Sequence, residues 1–125
     1  MTQDDARRVV ESYFAAWTAN KVDEACALLA DNAKISGPTA SYEGAEAFRP
    51  ALAAFAAMTK RARAIDLVVQ GEHAALLYEC ELPQPVGIVR IGSFFRVGNA
   101  KIQTYEILFD ATELRKLQAR QGQGQ

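Results

Sequence analysis

At 125 residues the chain is long enough for one hydrophobic core and too short for two, so a single domain over residues 1–118 is expected. Its 14 basic side chains are balanced by 15 acidic ones, a net charge of −1, which leaves no cationic excess to displace counterions from nucleic acid or an anionic membrane; neither is expected as a partner. Apolar residues make up 50% of the chain, but charges interrupt them throughout, and the opening MTQDDARR lacks the apolar stretch of a signal peptide, so a cytoplasmic protein is expected.

In chain order, Thr2 and Asp5 have the spacing of a capping box, and Asp4 and Asp5 suit the positive end of a helix running to about Ala19. Within it Val10, Tyr13, Phe14 and Trp17 recur at i, i+3, i+4 and i+7, a stripe that something apolar must cover. That stripe contains a phenol and an indole, whose polar tips need partners when buried, so a pocket is as natural a reading as a solid core. Asn20 suits a left-handed stop. Val22, Ala25, Cys26 and Leu29 repeat the apolar spacing and predict a second helix ending near Asp31 and Asn32, with Asp23 and Glu24 in its first turn. Residues 33–37 then read as a short strand, and 38–44 (PTASYEG) as a loop at the rim of whatever the helices line. A third helix, Ala45 to Met58, buries Phe48, Ala51, Leu52, Phe55 and Met58; Pro50 should kink it or mark a restart, because its ring crowds the preceding turn.

Beyond Thr59 a period of two replaces the helical one. Ile65, Leu67 and Val69 alternate in one strand, residues 70–73 (QGEH) turn the chain, residues 74–82 form the partner strand, and Pro83 and Pro85 interrupt the sheet before a strand over 87–97. In the last hairpin a two-residue turn at Gly98 and Asn99 would set Ile91 opposite Glu106. A three-residue loop, 98–100, pairs Ser93 with Tyr105 and Ile91 with Ile107, keeps one face apolar, and is the expected choice. Ile91, Ser93, Phe95, Tyr105, Ile107 and Phe109 then share a face, with Arg90, Arg96, Glu106 and Asp110 on the other. A short helix over 111–118 precedes a Gln/Gly tail, 119–125, expected to be disordered. The sum is an α+β domain: three helices, then a four-strand antiparallel meander that pairs with the first strand.

Little in the chain points to inorganic chemistry. Cys26 and Cys80 lack CxxC spacing and read as reduced packing residues; His73, the only imidazole, falls in a turn and reads as a surface side chain. No metal site and no cofactor is expected, and the phosphate-binding glycine motifs and the GxSxG elbow do not occur. Trp17, Phe48, Phe55 and Phe109 are either core or the walls of a pocket. In residues 76–82 alternation puts Leu76, Tyr78, Cys80 and Leu82 on one face and Leu77, Glu79 and Glu81 on the other, and the charged face belongs by default in solvent.

The stretches SYFAAWTANKVDEACALLADNAKISGP and IVRIGSFFRVGNAKIQTYEILFD, joined by GAEAFRPAL, resemble the nuclear transport factor 2-like superfamily, in its SnoaL-like and ketosteroid-isomerase-like branch, over about residues 6–110. The resemblance implies a strongly curved, mainly antiparallel sheet wrapped around a long helix, a cone with an apolar pocket, and a homodimer formed through the outer sheet face. Tyr13 matches the tyrosine that donates to the enolate oxygen in the isomerases, and Ser93 matches their second donor. Gly37 stands where their general-base aspartate precedes the proline, and a glycine cannot take a proton. In the family register the face bearing Leu77 and Glu79 turns toward the pocket, which makes Glu79 a candidate base. Tyr78, Cys80, Leu82 and Phe94 would then meet a second copy, rimmed by Arg90 and Arg96. The expected site is therefore Tyr13, Ser93 and Glu79 as catalytic groups, with Trp17, Phe48, Phe55, Leu77, Tyr105 and Phe109 against the ligand. Two readings stand: an isomerase or cyclase that polarises a carbonyl of a small, largely apolar molecule, or a non-catalytic small-molecule-binding or dimerisation domain.

Overall fold

The computed structural model describes residues 3–123, so Thr2 of the capping pair and the last two residues of the tail lie outside the described residues. Helix α1 (Gln3–Thr18) buries Val9, Val10, Tyr13, Ala16 and Trp17 on the stripe its spacing demands. It ends as the sequence suggests. Asn20 takes φ 62°, and the Asn20 and Lys21 amides donate back to the Trp17 and Ala16 carbonyls at 3.0 and 2.8 Å, the paired bonds that close a helix on a left-handed residue.

Helix α2 is only Val22–Cys26, shorter than the expected run to Asp31 and Asn32, and strand β1 (Leu29–Ser36) begins earlier than residue 33. The cause is tertiary. Leu29 pairs with Ile102, whose amide donates to the Leu28 carbonyl at 2.8 Å, so sheet pairing overrides a helical period that continues through Leu29. The segment expected to be pure loop contains an edge strand, β2 (Ser41–Glu43), antiparallel to β1. Gly44 follows with φ 98°, and a Cβ there would meet the Asp31 carbonyl oxygen at 2.7 Å, so only glycine fits.

Helix α3 (Ala45–Met58) has the expected bounds, and Pro50 neither breaks nor restarts it. Pro50 and Glu46 are both exposed, so the bond that proline cannot make is missing on the solvent side of the helix. The meander follows as β3 (Arg61–Gln70), β4 (His73–Glu81), β5 (Ile88–Gly98) and β6 (Lys101–Leu108), in the sheet order β2-β1-β6-β5-β4-β3 with β1 parallel to β6. The last hairpin differs from the expected loop. Its turn is Asn99-Ala100, φ 54° and 61°, and one extra residue, Gln103, bulges between the Val97–Ile102 and Arg96–Thr104 pairs. Ser93 therefore lies opposite Ile107 and Phe95 opposite Tyr105. The register moves by two residues from the expected one, and an even shift leaves every side chain on its expected face.

The sheet is curved and unclosed, and α1 and α3 fill its concave side. Helix α4 (Thr112–Gln123) extends past the expected end at Gln118, and its Arg115 guanidinium donates to the Pro38 carbonyl. Among the described residues no helix is long and apolar enough to cross a membrane.

Candidate functional site

The concave face and α3 do not meet completely. Between them lies a cavity of about 200 Å³, walled by Phe48, Ala51, Leu52, Ala54, Phe55 and Met58 of α3 and by Tyr78, Ile91, Tyr105, Ile107 and Phe109 of the sheet side. Trp17 closes it from α1; Pro38, Thr39, Tyr42 and Leu114 complete the lining, with exposed Thr39 at the rim. The rings brace one another: Trp17 lies 5.7 Å from Phe55 and 5.9 Å from Tyr78, and Phe48 lies 6.0 Å from Tyr105. None of these lining residues is Asp, Glu, His, Lys, Arg or Cys. Their polar groups are the hydroxyls of Thr39, Tyr42, Tyr78 and Tyr105 and the Trp17 indole.

Behind Tyr105 sit Tyr13 and Ser93, each 1% exposed, and neither Tyr13 Oη nor Ser93 Oγ has a hydrogen-bond partner. Burial holds the Tyr13 and Tyr78 phenols well above their ordinary pKa. Tyr105 is raised too, by burial, but the hydroxyls of Tyr13, Ser93 and Tyr78 oppose that rise. All three phenols are therefore neutral donors at physiological pH. The Cys80 thiol, free and buried like Cys26, is pushed up to about 12 by burial and is unreactive packing.

Of the residues expected from sequence, Trp17, Phe48, Phe55, Tyr105 and Phe109 line the cavity; Tyr13 and Ser93 stand directly behind it. Glu79 and Leu77 do not belong to the site. The β4 register pairs Leu76 with Ser93 and Tyr78 with Ile91, which turns the even-numbered residues of β4 inward and puts Leu77 and Glu79 on the outer face. There Glu79 accepts from Arg63 at 2.8 Å and Arg90 at 2.9 Å, and those guanidiniums hold its carboxyl below the usual range. It is a paired surface carboxylate. Among the wall residues outside the expected site is Tyr78, whose own strand contained the signal: the more apolar alternating face is the buried one. Pro38, Thr39 and Tyr42 fall in the 38–44 segment expected at the rim, whereas Leu114 had no signal, because only the folded chain brings α4 to the cavity. Among the described residues no three His, Cys, Asp or Glu side chains converge as a metal site would require.

A helix-filled, curved and open sheet with a cavity on its concave side is the architecture of the nuclear transport factor 2-like cone. The SnoaL-like domain matches residues 10–105, and the chain belongs to that family. Among solved structures it is similar to a protein from Kribbella flavida, with TM-score 0.84, 22% identity and coverage of 93% of this chain and 95% of that one. A candidate polyketide cyclase from Sinorhizobium meliloti superposes with TM-score 0.74 at 22% identity, over 81% of this chain and 94% of its own. A candidate ketosteroid isomerase from Kribbella flavida superposes with TM-score 0.75 at 17% identity, over 88% of this chain and 82% of its own. At these identities the likeness defines the fold. No curated protein matches the chain.

Proposed function

We propose that this SnoaL-like domain binds a small, neutral, largely apolar molecule of one or two rings that bears a carbonyl-type acceptor. The observation behind this reading is a cavity walled by aromatic and aliphatic side chains, free of ionisable acids and bases other than phenols, with a cluster of hydroxyls at one wall. Its size points the same way. At about 200 Å³ it is somewhat larger than a cavity of about 150 Å³ that takes up benzene. A charged ligand would lose its hydration with no counter-charge in return. Proton abstraction from the ligand has no resident carboxylate or imidazole to perform it.

A second reading, polarisation of a carbonyl in an isomerisation or cyclisation, is favoured by the same hydroxyls and by the descriptions borne by two of the structural neighbours. In that case the base comes from solvent or from the substrate itself. Trp17 is the chain's single tryptophan and lines the cavity, so its fluorescence reports occupancy. Titration with acetophenone should quench it saturably, and benzoate, of similar shape but charged, should bind at least about tenfold more weakly. Equal binding of the two, or no saturable response to the ketone, would defeat the proposal.

A further inference from the structure

Four hydroxyls converge on the concave face, and their positions are not equivalent. Tyr78 and Tyr105 line the cavity; Tyr13 and Ser93 do not, and their oxygens are sealed from solvent with no hydrogen-bond partner. Tyr105 is central among them. It stacks on Phe95 at 4.7 Å, lies edge-to-face with the Tyr13 ring at 5.3 Å, and meets Phe48 at 6.0 Å on the cavity side. The fold fixes this arrangement: β6 lies between β1 and β5, and Tyr105 is paired on one side with Ile35 and on the other with Phe95, next to the Ser93–Ile107 pair.

We propose that Tyr105, rather than Tyr13 or Ser93, presents its O–H to the carbonyl oxygen of the bound molecule, and that Tyr13 and Ser93 are positioning residues that donate to the Tyr105 oxygen from behind. The inference rests on the ligand class proposed above. A phenol has one proton to give and lone pairs that can accept, so two donors behind it leave that proton directed at the ligand and make it a stronger donor. The same arrangement gives both orphaned hydroxyls a partner, which burial otherwise denies them. The influence of Tyr13, Ser93 and Tyr78 on Tyr105, each favouring its ionised form, has the sign this arrangement requires. These contacts need only tighten when an acceptor enters, as hydrogen bonds at such sites commonly do.

The infrared stretch of carbonyl-13C acetophenone, bound to the full chain, distinguishes the donors. In the wild type it should lie below its frequency in hexane. Tyr105→Phe should return it to the hexane value while Trp17 quenching still shows binding, several-fold weakened. Tyr13→Phe and Ser93→Ala should each keep binding and a reduced shift, a graded response that a packing role would not produce. Replacement of Tyr105 by 3-chlorotyrosine, a more acidic phenol that preserves the ring, should deepen the shift. A shift that survives Tyr105→Phe, or one that Tyr13→Phe or Ser93→Ala abolishes, overturns the assignment. Acetophenone that fails to quench Trp17 in the wild type overturns the ligand class itself and this inference with it.

Discussion

Gly37 stands where the resemblance places a general-base aspartate, next to a cavity whose lining has no carboxylate. Gly37 does not need to be glycine for space: a Cβ there would make an ordinary 3.6 Å contact with the Ala40 carbonyl oxygen, and its backbone is outside the left-handed region. It directly precedes Pro38, which lines the cavity. Gly37→Asp should therefore fold with little change in Tm and set a carboxylate beside a bound ketone. The expected outcome is deuterium exchange into the acetophenone methyl group above the wild-type rate; a folded variant with no added exchange would show that position 37 does not reach the ligand. Residues obeyed the rules of burial more faithfully than those of resemblance. The period of α1 and α3 picked out Trp17, Phe48 and Phe55, and alternation in β6 picked out Tyr105, because apolar spacing and burial share one physical cause. Leu77 and Glu79 lie on the outer face, where the simple rule that charges remain in water holds and the register implied by the resemblance does not.

Whole elements were legible where local preference and tertiary pairing agree, as in α1, α3 and the β3–β4 hairpin, and illegible where they compete. Leu29 fits either a helix face or a strand, and only its pairing with Ile102 selects the strand. The Asn99-Ala100 turn places an alanine at φ 61°, an unusual choice that no turn signal favours, and its bulge at Gln103 restores the facing pattern. Helix α4 shows a different limit. Among its described residues Leu114 is buried and Arg115 bonds to the Pro38 carbonyl, and Leu114 and Pro38 both line the cavity. Because Leu114 and Arg115 bring α4 to the cavity rim at Pro38, this helix should set the rate at which a ligand passes. Arg115→Ala removes a link between exposed groups, so stability should fall by less than about 1 kcal/mol. Entry and exit of acetophenone, followed by stopped-flow Trp17 fluorescence, should both accelerate while affinity changes less than about twofold, since a gate alters both rates together. Unchanged rates would mean that the ligand passes elsewhere.

For the molecule as a whole, the unresolved need is on the convex side of the sheet. Cross-strand pairing aligns Val68, Ala75, Phe94 and Glu106 in one outer row and Asp66, Leu77, Gly92 and Leu108 in the next. Val68, Phe94 and Leu108 are 60%, 50% and 50% exposed, and among the described residues Ile88 is the other large apolar side chain so exposed, so the three form an apolar band. Tyr78, Cys80 and Leu82, expected on this surface, lie instead on the concave side, so the band has different members from those the resemblance implied. Along one flank runs the row Arg63–Glu79–Arg90, its carboxylate held between two guanidiniums; beyond the other flank lie His73, Arg96 and Lys34. An apolar strip between charged rims suits a second copy placed across a two-fold axis, since the same strip then covers itself and the charges stay in water. The chain should therefore sediment as a dimer at micromolar concentration. Phe94→Glu puts a carboxylate in the middle of the strip, beside Glu106 across the strand pair, and each subunit would present that charge to its twin. It should yield a monomer with unchanged circular dichroism and unchanged Trp17 quenching by acetophenone, because the cavity opens on the opposite face. Wild-type sedimentation as a monomer at that concentration would refute the dimer, and a variant that remains dimeric would move the interface away from Phe94.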